Sequence, residues 1–290
     1  SAAGAIVGLV LAALVGVIII GGIKRIAQVT EKVVPFMAVM YVAACLYIIL
    51  SNFTLVDDAI SLIVVEAFNP TAFGVGSVIG VMIVGFQRAA FSNEAGVGSA
   101  SIAHAAVKTR FPASEGIVAS IGPFVDTVII CTMTALVIVV TNLKSNLFTY
   151  SNLDEGNNVI MNGTGKHLGG VDLTSVAFDS AIPNFSILLT IAVILFAFST
   201  MLSWSYYCIQ GFKYLFGKSK FVDISYKSLF LIFVVIGASS SLGSVIEFSD
   251  AMIFAMVFPN IIGLLLLAPK VKRELNKYLI AIGRKDKIKK

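Results

Sequence analysis

The feature that most constrains this chain is a series of seven long apolar segments. Each is long enough to cross the roughly 30 Å of hydrocarbon in a bilayer as a helix. They lie at residues 4–23, 33–51, 75–107, 115–141, 183–212, 228–246 and 249–268. Apolar residues make up 58% of the chain and charged residues 13%, whereas soluble domains have about 45–50% and about 25%. The sequence therefore predicts an all-α, multi-pass integral membrane protein.

The distribution of charge predicts which loops lie on which side of the membrane. If the chain starts outside and each segment reverses it, all but three of the 21 basic residues lie on the inner side. The inner groups occur at 24–32, 108–110, 213–227 and 270–290. Lysine and arginine are enriched in cytoplasmic loops, so the C-terminus is predicted to be on the cytoplasmic side of a cell membrane.

The residues give little support to other classes of protein. The basic residues flank apolar segments, and no basic stripe interleaves with exposed aromatic residues, so nucleic-acid binding is excluded. His104 and His167 are far apart in sequence and have no neighbouring nucleophile, so no catalytic triad is indicated. Cys45, Cys131 and Cys208 lie inside apolar segments without a paired spacing. They are predicted to be small core residues, not metal ligands or disulfides.

The third apolar segment carries a polar interruption near its middle. Residues 85–100 read GFQRAAFSNEAGVGSA, in which three polar residues precede two spaced glycines. Ser and Asn compete for backbone hydrogen bonds, and Gly lowers helix stability. Unwound backbone survives at membrane depth only where it lines protein or a watery cavity, and transporters use such breaks to hold ions and substrate. We therefore predict a broken helix; the alternative is a loop that joins two short helices.

Charged side chains within the apolar segments are candidates for function. A charge at the centre of a bilayer costs about 2.5–3.5 kcal/mol or more unless it is paired. Glu94 is therefore predicted to be functional, and to pair with Arg88 or with helices outside the chain. Asp126 is either a proton or ion site or a hydrogen-bonding anchor for the broken helix.

The fifth segment offers two adjacent hydroxyl groups, those of Ser199 and Thr200. Hydroxyl oxygens are hard ligands of the kind that sodium prefers. Trp204 follows Thr200 by one helical turn on the same face, where its ring would wall a small pocket. In the alternative, the hydroxyls bond back to their own helix and the aromatic ring packs between helices.

The stretches between and after the apolar segments differ in character. Residues 52–70 are acidic and loosely amphipathic, which predicts a short surface helix. Residues 142–182 are rich in Asn and Gly and predict an extracellular lid or hairpin, with a disordered spacer over 145–170 as the alternative. From Arg273 onward, apolar residues recur at helical spacing among basic ones. This predicts a helix on the inner leaflet, and a solvated tail is the alternative.

Several motifs together resemble the sodium:alanine symporter family, also called the alanine or glycine:cation symporters. The most specific is residues 91–96, Phe-Ser-Asn-Glu-Ala-Gly. Further matches follow in order at 21–26, 30–37, 98–100, 103–106, 126–127, 131–132, 204–207 and 259–260. Residues 85–90 match less closely, and the loop 142–182 is longer than expected for the family. The resemblance covers essentially the whole chain.

This resemblance implies a leucine-transporter-type fold with two inverted five-helix repeats. Residues 1–51 would be the last two helices of the first repeat, and 52–74 an extracellular connection. Residues 75–268 would be the second repeat, and 269–290 a basic cytoplasmic tail. The chain begins at Ser1 almost inside an apolar segment. We expect a C-terminal fragment whose N-terminal remainder supplies half of the central site.

The resemblance also implies sodium-coupled uptake of alanine or glycine. Its partners would be that substrate, membrane lipid and the N-terminal remainder; Na⁺ would be the transported ion, without an organic cofactor. Ser199 and Thr200 would complete a sodium site. The alternatives are a proton-coupled carrier of the same fold that titrates Glu94 or Asp126, and a membrane channel; no residue pattern suggests an enzyme. The implied substrate-binding residues are Phe91, Ser92, Asn93, Glu94, Thr200 and Trp204.

Overall fold

A computed structural model describes residues 2–68, 77–149 and 159–284 of the 290-residue chain. The described residues are mostly helical. A 3₁₀ turn, Phe53–Leu55, precedes α3, and a π-helical stretch, Phe124–Cys131, joins α7 to α8. The helices are α1 (Ala2–Ile19), α2 (Gly22–Ser51), α3 (Val56–Ala67), α4 (Ser77–Asn93), α5 (Ser99–His104), α6 (Pro112–Ala119), α7 (Ile121–Pro123), α8 (Thr132–Ser145), α9 (Val171–Ala181), α10 (Phe185–Phe216), α11 (Lys220–Ser239) and α12 (Leu242–Ala281).

Five helical runs of the described chain are long and apolar enough to cross a membrane. They are Gly22–Ser51, Pro112–Ser145, Phe185–Phe216, Lys220–Ser239 and Leu242–Ala281. Of the seven predicted segments, the first forms a shorter apolar helix over Gly4–Ile19, and the third is divided by a break. The prediction of an all-α membrane protein is confirmed, and the inverted-repeat arrangement stays a prediction.

Several helix ends differ from the predicted boundaries. The turn between the last two spans lies at Ser240–Ser241 and not near 247, because Ser241 caps α12 by accepting a hydrogen bond from the Ser244 backbone N–H at 3.3 Å. The apolar residues just after Ser241 therefore belong to α12. At its other end α12 continues to Ala281, so the helix predicted after Arg273 is the end of the last span, not a separate element.

The chain divides into two compact units. Unit 1 consists of Ser1–Ile20, Gln87–Thr127 and Ser203–Lys290. Within it, α1 packs along α11. Gly8 makes this approach close, because a Cβ there would lie 2.9 Å from the Cβ of Ala238 and 3.0 Å from the Cα of Val235. Helix α6 packs against α12, where the rings of Phe111 and Tyr278 lie 5.8 Å apart.

Unit 2 consists of Gly21–Phe86 and Val128–Leu202. Helices α2, α3 and α9 all pack against α8. The aromatic core includes Phe178, whose ring centroid lies 5.6 Å from that of Tyr41 and 5.3 Å from that of Phe185. These rings and Phe148 are buried against each other in one apolar cluster, and their packing holds α9 on α8.

The loop predicted as a lid or hairpin has regular structure in its described part. Strands β1 (Phe148–Thr149), β2 (Val159–Met161) and β3 (His167–Leu168) form an antiparallel sheet in that order. Phe148 pairs with Met161, and Val159 with Leu168. The hairpin alternative is therefore confirmed over these residues, whereas 150–158 lie outside the described chain. The helix predicted within 52–70 is also present, as the 3₁₀ turn and α3.

The cysteines show that a position inside an apolar segment does not determine whether a side chain is buried. All three are free thiols, and Cys45 is buried in the core of unit 2 as predicted. Cys131 and Cys208 are exposed, so the prediction that they are core residues is wrong. The outer face of a membrane helix is apolar as well, and hydropathy alone does not separate it from the core.

Candidate functional site

The helical interruption is present and lies at residues 94–98, as both the predicted broken helix and its alternative, a loop that joins two short helices, require. Helix α4 ends at Asn93 and α5 begins at Ser99. Between them the backbone takes positive φ three times, at Glu94 (54°), Gly96 (85°) and Gly98 (102°). This conformation costs glycine little and costs a residue with a Cβ roughly 1–2 kcal/mol. The glutamate therefore needs stabilising contacts elsewhere.

Those contacts are made by the Glu94 side chain. Its Oε1 accepts a hydrogen bond from Trp204 Nε1 at 2.9 Å, and its Oε2 accepts one from the Ser99 hydroxyl. Ser99 is fully buried at the start of α5, and Trp204 belongs to α10. The carboxylate thus joins both sides of the break to a third helix. The predicted pairing of Glu94 with Arg88 is wrong, because Glu94 accepts from these two neutral donors.

The last turn of α4 is tied to the π-helical stretch. The Ser92 hydroxyl donates to Asp126 Oδ2, and Asn93 Nδ2 donates to Thr127 Oγ1 at 2.8 Å. The Asn93 side-chain oxygen also accepts from the backbone N–H of Ala95 at 2.9 Å, which satisfies one donor of the unwound segment. For Asp126, this geometry favours the predicted role of anchor for the broken helix; its role as an ion site stays a prediction.

Arg88 contacts two groups, an aspartate of α12 and an aromatic ring of its own helix. It forms an ion pair with Asp250 of α12, and its guanidinium carbon lies 5.1 Å from the centroid of the Phe91 ring. The side chains of Arg88 and Asp250 are 46% and 20% exposed, so the pair is only partly removed from its surroundings. Arg88 therefore holds the Phe91 ring and α12 on the same face of α4.

Asn260 of α12 contacts the centre of the break. Its Nδ2 donates to the carbonyl oxygen of Gly96 at 2.8 Å. A Cβ at Gly98 would lie 3.0 Å from the Asn260 Cγ and Oδ1. The unwound residues are therefore packed directly against this amide.

Ser199 and Thr200, the predicted hydroxyl pair, lie in unit 2, on the part of α10 that precedes Trp204. Ser199 is buried, and its hydroxyl donates to the Phe196 carbonyl oxygen at 2.9 Å. This is the back-bonding that the alternative interpretation predicted. Thr200 is exposed. Trp204 lies in unit 1, half-buried, with its ring 5.9 Å from that of Tyr207.

Beyond the break, a cavity of about 580 Å³ lies between α5 and α6. His104 and Glu115 line it and pair through His104 Nδ1 and Glu115 Oε1 at 2.7 Å. The contact fixes the turn after α5 to the start of the next helix. No role was predicted for either residue from the sequence.

Three residues of this region were missed as site residues: Ser99, Asp250 and Asn260. Each is polar and lies inside or beside an apolar segment, which was the available signal. Their partners are 5, 162 and 164 residues away. Only the fold determines the longer contacts.

Comparison with known proteins identifies the family. The sequence model of the sodium:alanine symporter family matches residues 1–289. The chain belongs to this family. The resemblance of residues 91–96 and of the later motifs is thereby confirmed. The family consists of symporters, which confirms that the chain belongs to a class of transporters and not of enzymes.

Relatives within the sodium:alanine symporter family carry several names. The sodium/alanine symporter AgcS of Methanococcus maripaludis is 40% identical over 270 residues, which are 93% of this chain and 55% of that protein. The probable sodium/glutamine symporter GlnT of Bacillus subtilis is 32% identical over 272 residues, 93% of this chain and 53% of that protein. The sodium/proton-dependent alanine carrier protein of Bacillus sp. (strain PS3) is 31% identical over 280 residues, with shares of 94% and 61%.

The chain spans about half the length of these family members. Its family and its apolar helices indicate a multi-pass membrane protein.

Proposed function

We propose that this chain is the C-terminal half of a secondary transporter that carries alanine or glycine into the cell together with sodium. The observation that carries the proposal is the break at 94–98, because unwound backbone at membrane depth offers N–H and C=O groups to a ligand. The glutamate at its start is held by Ser99 and Trp204.

The proposed architecture is the leucine-transporter type with a cytoplasmic C-terminus. Residues 1–51 end the first repeat, 52–74 connect the repeats outside, 75–268 form the second repeat, and 269–290 are the cytoplasmic tail. The relatives are nearly twice as long as the region they share with this chain. The proposed N-terminal remainder of the transporter contributes the rest of the substrate and sodium sites.

In this proposal the substrate meets the end of α4 and the unwound residues. Residues 91–94 supply backbone groups, and Phe91 and Trp204 limit the size of the amino-acid side chain. One contact supports a fixed position for each ring. Arg88 lies over the Phe91 ring, and the Trp204 indole N–H donates to Glu94 Oε1 at 2.9 Å. Fixed aromatic walls favour a small neutral substrate, because rejecting a larger side chain requires that the walls stay in place.

Sodium is proposed to bind at the hydroxyls of Ser199 and Thr200. The Ser199 hydroxyl is buried and donates to the Phe196 carbonyl oxygen at 2.9 Å, and a hydroxyl oxygen that donates its hydrogen is also able to ligate a second group. Each positive charge that moves inward through 100 mV releases about 2.3 kcal/mol. One sodium ion per substrate thus supports roughly fiftyfold accumulation before its own concentration gradient is added.

A proton-coupled carrier of the same fold is the second candidate. Its support is the relative named as a sodium/proton-dependent alanine carrier, together with the carboxylates of Glu94 and Asp126. Both oxygens of Glu94 accept hydrogen bonds, and Asp126 accepts one from Ser92.

The test is uptake of radiolabelled alanine into proteoliposomes that contain the full-length transporter. The expected result is uptake that requires an inward sodium gradient and is competed by excess glycine. Uptake that follows a pH gradient without sodium would transfer the coupling role to the carboxylates. An absence of alanine uptake under either gradient would overturn the substrate assignment, and uptake that does not saturate with alanine would indicate a channel.

A further inference from the structure

The unwound residues 94–98 are held from one side by a single amide of α12. Asn260 Nδ2 donates to the Gly96 carbonyl oxygen at 2.8 Å, across 164 residues of sequence. The Asn260 side chain also abuts Gly98, where a Cβ would come within 3.0 Å of its Cγ and Oδ1. Both glycines of the break thus face the same side chain, one through a hydrogen bond and the other through close packing.

Gly98 has two separate reasons to be a glycine. Its φ of 102° is a conformation that residues with a Cβ rarely adopt. A Cβ there would also crowd the Asn260 amide, at 3.0 Å from its Cγ and Oδ1. The second reason comes from α12, so the conformation of the break and the position of Asn260 are fitted to each other.

The neighbouring contacts show that the unwound residues are packed and hydrogen-bonded. Val97 is 1% exposed, and its backbone N–H donates to the Glu94 carbonyl oxygen at 3.1 Å. The Gly96 carbonyl lies between α4 and α5, outside the regular hydrogen bonding of either helix. A carbonyl without a donor is costly at membrane depth, and Asn260 supplies that donor.

We propose that Asn260 is a positioning residue, whose side-chain amide holds residues 94–98 in the conformation that receives the transported amino acid. This inference rests on the proposed function, because it assigns the substrate to the break. Asn260 does not touch the substrate in this account. It fixes the backbone groups that do, and so lowers the cost of ordering them when substrate binds.

The test compares two variants of Asn260 in the purified full-length transporter. Asn260→Asp keeps the shape of the side chain and replaces the donor by an acceptor that faces the Gly96 carbonyl. Asn260→Ala removes the donor and the packing against Gly98. The matched control is Asn276→Ala, which alters the same residue type in the same helix about 24 Å further on.

Two measurements are made on each variant. Equilibrium binding of radiolabelled alanine should weaken roughly three- to tenfold in both Asn260 variants, the value of one intramolecular hydrogen bond. Amide hydrogen exchange over residues 94–98 should accelerate in the same two variants. The Asn276→Ala control should match the unaltered protein in both measurements. All variants should yield the same amount of folded transporter as the unaltered protein.

The outcomes separate this inference from the proposed function. An Asn260→Asp variant with unaltered alanine affinity and unaltered exchange would overturn it, because shape and not donation would then suffice. If the Asn260→Asp protein does not accumulate, Asn260→Ala takes its place: unaltered alanine affinity and unaltered exchange in Asn260→Ala would then overturn the inference. If the unaltered transporter binds no alanine, the proposed function fails, and the exchange measurement alone decides whether Asn260 holds the break.

Discussion

Glu94 is the residue in which the chemistry of the break is concentrated. It combines a charged side chain with a left-handed backbone at φ 54°, and each of these is unfavourable inside a membrane helix. The two features support each other, because the backbone turn directs the carboxylate between Ser99 and Trp204. Hydrogen bonds to a charged acceptor contribute about 1.5–3 kcal/mol each, which offsets the backbone cost.

Replacing Glu94 by glutamine tests this balance. The amide keeps one acceptor and turns its NH₂ group toward a donor, so one of the two hydrogen bonds is lost. We expect Glu94→Gln to reduce alanine uptake by roughly tenfold or more. The control is Glu247→Gln, since Glu247 is exposed, and its uptake should stay normal. Equal losses in both variants would show that the assay reports a general effect of removing charge.

The sodium site is also tested at the level of one residue. Thr200→Ala removes one proposed ligand oxygen, and we expect the sodium concentration for half-maximal uptake to rise roughly tenfold. Thr190→Ala is the matched control in the same helix, since the Thr190 hydroxyl donates to the Ser186 carbonyl at 2.7 Å. A loss of uptake in Thr200→Ala with unchanged sodium dependence would remove the ion role from this residue.

Among the elements, three contacts pair the broken helix and the residues after it with α12. Arg88 pairs with Asp250, Gly96 with Asn260 and, beyond α5, Phe111 with Tyr278. The residue numbers rise together along both partners, so these stretches run parallel. Two segments that run in the same direction are predicted to cross the membrane in the same sense, which agrees with the charge pattern of the loops.

The ion pair at one end of this pairing has a measurable energy. Asp250 Oδ1 is buried without a hydrogen-bond partner in the described chain, so Asp250 depends on its other oxygen and Arg88. We expect Arg88→Gln and Asp250→Asn each to lower the melting temperature of the detergent-solubilised protein. The double variant should be little worse than the more damaging single one, because both remove the same interaction.

An exposed ion pair on the same helix provides the comparison. Lys277 and Glu274 are 64% and 29% exposed and lie 2.7 Å apart. Water screens exposed ion pairs, so they contribute little to stability, and Lys277→Gln and Glu274→Gln should shift the melting temperature little. Strictly additive shifts for Arg88→Gln and Asp250→Asn would contradict a direct coupling between those two residues.

At the scale of the whole molecule, the testable property is orientation. The loop charges predict that Lys166 is outside and Lys218 inside. In the full-length transporter with all of its native cysteines replaced by serine, Lys166→Cys should react with an impermeant maleimide in intact cells. Lys218→Cys should react only after the membrane is permeabilised. The reverse pattern would invert the topology and with it the predicted cytoplasmic C-terminus.

The sequence allowed the class of fold and the position of the break to be predicted, for different physical reasons. Seven apolar segments reflect the thickness of the bilayer, which acts on each helix separately. The break at 94–98 follows from the local competition of Asn and Gly with helical hydrogen bonds. The partners of Arg88 and Gly96 did not follow, because those contacts depend on how α12 packs. The turn at Ser240–Ser241 was missed because apolar residues follow Ser241 directly and its capping was overlooked.

Pro259 lies inside α12 next to Asn260, the residue whose side chain contacts the break. A proline leaves the carbonyl four residues earlier without a helical donor, so the turns before Pro259, next to Asn260, and before Pro269 are two weak points of α12. The helix beyond Pro259, up to Ala281, is about 33 Å long. A change of about 10° at Pro259 moves the far end by about 6 Å. A bend at Pro259 would therefore be large at the Ala281 end of α12 and small at the residues next to Asn260.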